Sequence, residues 1–189
     1  SYIDQNLAEI KLTKEVENQP TESQFTKTDA TTGEELEGAK LQIIDKEGNI
    51  VEEWISAKEP HVVYGLPEGT YILHEELPPY AEGYVSAEDI EFEVKEDGSV
   101  TKVEMKDDYS KVEISKTDIT TGEELEGAKL QILNKEGEIL EEWVTDGKPH
   151  LAEKLPVGEE LTLREITAPE GYEIAEDVKF TLEDTMEIQ

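Results

Sequence analysis

One phrase is written twice in this chain. "KTDATTGEELEGAKLQI" runs from Lys27 to Ile43, and "KTDITTGEELEGAKLQI" runs from Lys116 to Ile132; only Ala30 against Ile119 differs. An internal repeat constrains the fold more than any composition does, because the same local solution has to bury a core in each copy. The copies stay in step from Gly38 and Gly127 through Trp54 and Trp143, His61 and His150, to Gly69 and Gly158, a period of about 89 residues. Small insertions then shift the register. "YILHEELPPYAEGY" (Tyr71–Tyr84) answers "LTLREITAPEGY" (Leu161–Tyr172), and "EDIEFEV" (Glu88–Val94) answers "EDVKFTL" (Glu176–Leu182). A chain of 189 residues divided in this way is two modules, each near the lower size at which a domain supports its own core.

Within a copy, short alternating runs are separated by turn chemistry: "AKLQII", "DKEGN", "IVEEWI", "LPEG", "TYILHE", "IEFEV" and "KEDGS". Val, Ile, Tyr, Phe and Thr fill the runs, and turns recur at the spacing of an all-β sandwich of the Ig-like kind. Helix has little support. "TGEELEGAK" has room for one turn of helix between Gly33 and Gly38 and no more.

Period-two reading places ionisable residues on the faces that carry the core. Lys27 shares a face with Phe25, and Lys116 with Val112 and Ile114. Glu75 follows Tyr71 and Leu73, and Glu165 follows Leu161 and Leu163. Asp107 follows Val103 and Met105. A buried charge without a partner shifts its pKa or destabilises the fold. Two readings are open from the residues alone. One is a buried salt-bridge triad, or strand-end side chains whose heads reach water. The other is chemistry: desolvation pushes a lysine toward the neutral amine and a glutamate toward the protonated acid, and such an amine against a carboxyl is set up for amide formation with loss of water.

"LREITAPEGY" (Leu163–Tyr172), "ISKTDITTGEELEGAKLQI" and the turn "LPVG" resemble the Cna-B/SpaA type of prealbumin-like domain found in surface adhesins and pilins of Gram-positive bacteria. The resemblance covers nearly all of both copies. It implies tandem prealbumin-like β-sandwiches in which the first-strand lysine is joined to an Asn or Asp at the end of the last strand, assisted by the glutamate of the "LxExxAPxGY" segment. Residue by residue, it makes Lys27 the nucleophile, Asp107 the acceptor and Glu75 the proton shuttle. "HEELPPYAEGY" departs from the family's segment and sets Glu76 beside Glu75, of which period two turns Glu75 inward.

In the second copy Lys116 and Glu165 match the same pattern, but the position equivalent to Asp107 falls beyond Gln189. The expected organisation is therefore a first module over residues 21–109, a second over residues 110–189 that lacks its last strand, and residues 1–20 as the closing strand of a preceding module or a tail. Asn18 stands nine residues ahead of Lys27, as Asp107 stands nine ahead of Lys116. Ile10–Asn18 thus reads as a closing strand, and by strand addition from another copy Asn18 becomes an acceptor for the unpaired nucleophile Lys116.

Composition removes several function classes. Lys+Arg 17 against Asp+Glu 48 gives a net charge of -31, which repels nucleic acid and anionic membrane surfaces. Without cysteine there is neither a disulfide nor a Cys-based zinc site. No apolar run has the roughly 20 residues that a membrane-spanning helix needs. His61 and His150 are too isolated for a metal site, no loop has the spacing of a calcium loop, and no cofactor is expected. "LPEGT" at Leu66 has the order Gly-Thr rather than that of a sorting signal and reads as a turn. The function expected is a structural stalk or adhesin segment of an extracellular, cell-wall-anchored protein, with the anchor outside this segment. It is not a turnover enzyme, and its partners are neighbouring modules of the same protein. The alternative is an adhesin domain that binds a host matrix protein or a glycan through aromatic residues near Trp54 or Trp143.

Overall fold

The structure, a computed structural model, describes residues 14–189. Residues 10–13 of the expected N-terminal strand lie outside the described residues, and Lys14–Pro20 are exposed and take no strand pairing.

The first module contains β1 (Glu22–Asp29), β2 (Lys40–Asp45), β3 (Ile50–Ile55), β4 (His61–Tyr64), β5 (Gly69–Leu77), β6 (Ile90–Val94) and β7 (Val100–Asp107). They form two facing sheets, ordered β4-β1-β7 and β3-β2-β5-β6. Inward-facing Phe25, Leu41, Ile43, Leu73, Phe92, Val103 and Met105 fill the space between them. The β2–β3 hairpin follows from "DKEGN": the Asp45 carboxylate accepts from the Glu47 and Asn49 amides at 3.0 and 2.8 Å, and Gly48 takes a φ of 86°. Trp54 and His61 stack at 4.2 Å with planes 11° apart, tying the edge strands β3 and β4 of opposite sheets together.

β7 is the strand that matters most. It pairs parallel to β1 over its whole length, with Lys27 opposite Met105 and Asp29 opposite Asp107. The last strand therefore ends beside the end of the first.

"TGEELEGAK" is not helical. Leu36 N–H donates to Lys27 O at 2.7 Å and Thr28 bridges Glu35, so the segment folds back along β1. The only helical turn among the described residues is a 3₁₀ turn at Tyr80–Glu82.

The second module repeats the plan with β8 (Lys111–Ile114), β9 (Glu126–Leu133), β10 (Ile139–Asp146), β11 (His150–Glu153), β12 (Glu160–Thr167) and β13 (Val178–Thr181). Its sheets are β11-β8 and β10-β9-β12-β13. Only the beginning of a β7 counterpart is present: Ile188 bridges Lys111 in parallel, and Gln189 exchanges backbone bonds with Lys111 and Glu113 at 3.0 and 2.9 Å. Beyond it, a groove of about 450 Å³ runs along β8, lined by Val112, Ile114, Leu163, Phe180 and Leu182. It occupies the place that Val103 and Met105 fill in the first module.

The modules touch through a continuous hydrogen-bonded joint. Ser110 N–H donates to Gly83 O at 2.8 Å and Val157 N–H to Tyr80 O at 3.0 Å, while Val85 N–H donates to Asp108 O at 3.0 Å on the first module's side of the joint. The Asp184 carboxylate accepts from the Tyr80 hydroxyl, the Ser86 amide and the Ser86 hydroxyl at 2.9, 2.7 and 2.6 Å. Lys154 Nζ lies 4.9 Å from the centre of the Tyr84 ring. Gly83 is pressed so closely on Lys154 that a Cβ there would stand 2.4 Å from the Lys154 carbonyl carbon.

Candidate functional site

Lys27, Glu75 and Asp107 come from β1, β5 and β7, that is, from both sheets, and their side chains converge in the core of the first module. Each belongs to a strand whose alternation puts it in line with apolar neighbours: Phe25 before Lys27, Leu73 before Glu75, Met105 before Asp107. All three are buried, Asp107 completely. Lys27 Nζ contacts Asp107 Oδ1 and lies 2.8 Å from Glu75 Oε2. Glu75 Oε2 is at ion-pair distance without the alignment of a hydrogen bond, and Asp107 Oδ2 also lacks a partner. Glu75 Oε1 is held by the Ala87 amide at 2.9 Å, which fixes the carboxyl over the lysine. Glu76, its neighbour in sequence, is exposed and lies 3.5 Å from His74 on the outer face.

Burial pushes the Asp107 carboxyl up to about 8; the neighbouring Glu75 carboxyl adds to this, while the charge of Lys27 opposes it. Near neutral pH that carboxyl is largely in its acid form. An uncharged carboxyl against an amine is the pair that condenses to an amide, since a carboxylate is a poor electrophile.

The second module assembles the same parts short of the acceptor. Lys116 Nζ stands 3.7 Å from Glu165 Oε1. Glu165 Oε2 accepts from Ala175 N–H at 2.6 Å, as Glu75 does from Ala87, and its other oxygen is buried without a hydrogen-bond partner. The Lys116 side chain is 18% exposed against 1% for Lys27, because no strand covers it. Asn18 is exposed and distant in the chain from every member of this group.

Sequence reasoning missed a lock that adjoins the site. The Tyr84 hydroxyl donates to Asp29 Oδ2 at 2.5 Å, and the Thr31 and Thr32 amides donate to Asp29 Oδ1 at 2.7 and 3.0 Å. The second module repeats it with Tyr172 on Asp118 at 2.6 Å and the Thr120 and Thr121 amides at 2.7 and 2.9 Å. The signal was available: "KTDxTTG" and "GY" recur in both copies. Trp54 and Trp143, read as possible ligand platforms, stack on His61 and His150 at 4.2 and 4.0 Å, and those histidines face Glu52 and Glu141. Among the described residues no group of three His, Cys, Asp or Glu side chains is placed to hold a metal ion, and no helix is long and apolar enough to cross a membrane.

Fold and site together define a class: tandem all-β, prealbumin-like sandwiches with a lysine and two acids enclosed in the core. The chain belongs to the SpaA family of prealbumin-like fold domains, whose sequence model matches residues 21–109 and again residues 110–189. Among solved structures it is similar to the TIE protein of Bacillus anthracis, at 30% identity and a TM-score of 0.59 over 90% of this chain. The chain spans about a third of that protein, 33% of its length. Weaker likenesses are to a streptococcal ancillary pilin (18% identity, TM-score 0.45, 92% of this chain and 61% of that one) and to the shaft pilin SpaA of Lactobacillus rhamnosus GG (15%, 0.41, 88% and 94%). No match was found among curated proteins.

Proposed function

We propose that this segment is a load-bearing stalk of an extracellular, wall-anchored surface protein, and that its first module is locked by an amide between Lys27 and Asp107. The convergence of Lys27, Glu75 and Asp107 within a sealed core carries this reading. Lys27 Nζ, as the neutral amine, attacks Asp107 Cγ. Glu75 takes a proton from the attacking nitrogen and returns it to the departing hydroxyl oxygen, so the C–O bond breaks, the C–N bond remains and one water leaves. Atoms and charge balance without a cofactor, and the event occurs once per molecule, so the module is not a turnover enzyme.

The topology favours a mechanical role. The bond joins the ends of the first and last strands, and those strands lie side by side in parallel. Tension entering at the start of β1 and leaving at the end of β7 runs through the amide and does not peel the sheet. Closing a loop of about 80 residues stabilises by roughly 4 to 5 kcal/mol on the disulfide analogy, and reductants leave an amide intact. At the tryptophans, where the adhesin alternative would place an aromatic platform, one face of each ring is stacked on His61 or His150, which favours the stalk reading.

Intact mass tests the proposal. The folded chain is expected one water lighter than its sequence, with the loss mapped to a branched Lys27–Asp107 peptide; folded protein of unreduced mass overturns it.

A further inference from the structure

The joint between the modules reveals what the far end of the first module is built to receive. The tail of the second module is the receiving side of that joint, and the tail of the first module carries the same features. Thr21 Oγ1 donates to Leu66 O at 2.6 Å as Ser110 Oγ does to Leu155 O at 2.7 Å, and Gly65 N–H donates to Thr21 O as Lys154 N–H does to Ser110 O. By the repeat alignment, Glu68 stands where Val157 meets Tyr80 O, and Glu96 stands where Asp184 receives Tyr80 and Ser86. Among the described residues, Glu68 N–H donates to Glu96 Oε1 in a long 3.4 Å contact. A groove of about 830 Å³ opens between the strand-free Asn18–Pro20 and Thr21, Gly65, Leu66, Pro67 and Glu96; Glu68 follows directly on Pro67 of its lining.

We infer that this groove is a docking socket for the Pro-Tyr-x-x-Gly-Tyr loop of another module of the same family, seated as Pro79–Tyr84 is seated on the second module. The occupant's chemistry follows from the filled joint. It supplies a carbonyl to the Glu68 amide, a tyrosyl hydroxyl to the Glu96 carboxylate, and a glycine that passes close to the Gly65 backbone. Gly65 takes a φ of 81° where Lys154 takes 60°, so the receiving backbone already has the conformation of the filled socket. The free loop of the second module is a poorer fit, because "TAPEGY" lacks the two residues corresponding to Tyr80 and Ala81 and has Ile174 in place of Ser86. The socket thus favours a loop of the Tyr80 type over self-association of this chain end to end. The inference does not draw on the cross-link.

A three-module chain tests it, made by placing residues 21–109 directly ahead of Thr21 in place of residues 1–20. The expected result is at least tenfold slower hydrogen exchange at the Glu68 amide of the middle module than in the two-module chain, and small-angle scattering of a rigid rod. Gly83→Ala in the added copy is expected to return Glu68 to the two-module rate, and Tyr80→Phe there to lose part of the protection without touching the backbone. Exchange at the Ile43 amide of the added copy reports that it has folded. A folded added copy with Glu68 exchanging at the two-module rate overturns the inference, as does protection that survives Gly83→Ala.

Discussion

Asp29 and Asp107 are directly opposed across the parallel β1–β7 pair, and the fold treats them in opposite ways. Burial works against the charge on Asp29, but hydrogen bonds from the Tyr84 hydroxyl and the Thr32 and Thr31 amides outweigh it and hold the carboxyl below its ordinary range. Asp107 is enclosed completely, and its burial outweighs the Lys27 ammonium that donates to it, so that it rises to about 8. One acid is kept as an anion that accepts, the other as a neutral carboxyl that an amine can attack. The difference is one of balance: three donors outweigh burial at Asp29, and burial outweighs one ammonium at Asp107.

Glu75→Gln should leave the chain at its full sequence mass. The amide side chain keeps an acceptor for the Ala87 N–H and nearly the same volume, yet it does not relay a proton. Loss of the cross-link is expected to lower the stability of the first module by about 4 kcal/mol, read by chemical denaturation beside the parent. Complete cross-linking in this variant would show that Glu75 is not the shuttle.

In the unlinked Glu75→Gln protein, stability should fall as pH rises. An acid whose pKa is higher in the folded state binds its proton more tightly there, so its favourable contribution is present at low pH and is lost above the unfolded value. For Asp107 the window opens at the ordinary 3.8 and closes below the value of about 8 that it has beside Glu75, because burial, the largest cause of the rise, stays in the variant while the contribution of the Glu75 carboxyl is removed. The cross-linked parent has no carboxyl at this position. The difference in melting temperature between parent and variant should therefore widen across that window; a constant difference would count against a raised Asp107.

Gly83→Ala should uncouple the modules while each stays folded. The new methyl meets the Lys154 carbonyl carbon at 2.4 Å, and the residue must hold a φ of 88°. The backbone conformation alone costs about 1 to 2 kcal/mol, and the clash opens the joint. Faster amide exchange at Ser110 and Val157, with unchanged exchange at Ile43 and Ile132, is the expected signature.

The strands and the three converging side chains could be read from the sequence because both rest on period two: a residue in line with Phe25 or Leu73 faces the core whatever its charge. For "TGEELEGAK" local propensity leaves room for one helical turn at most and says nothing of Leu36 bonding back to Lys27. The parallel pairing of β1 with β7 was equally hidden, since it joins residues at opposite ends of the module. The joint was missed for another reason. Tyr80 and Ala81 appear in sequence only as an insertion that spoils the repeat, and their role becomes visible once Val157 and Asp184 are seen to hold the inserted turn.

Lys116 should remain a free amine in this chain. Its β8 partner strand stops at Gln189, and Glu165 alone offers no carboxyl carbon held against the nitrogen, at 3.7 Å from its nearer oxygen. Amine-directed labelling of the folded protein followed by peptide mapping is expected to modify Lys116 and spare Lys27. A peptide with the sequence Lys102–Tyr109 should then protect Lys116: its Val103 and Met105 match the groove along β8, and in the register that β7 takes on β1 its Met105 would arrive opposite Lys116 and its Asp107 opposite Asp118, the placement from which Asp107 meets Lys27 in the first module. The expected product is one water lighter than the sum of chain and peptide, and it should not form with Glu165→Gln. A covalent dimer one ammonia lighter than two chains, with its branched peptide mapped to Lys116 and Asn18, would instead identify Asn18 of a second copy as the acceptor. Protection of Lys116 in the monomer, with no peptide added, would overturn the expectation of a free amine.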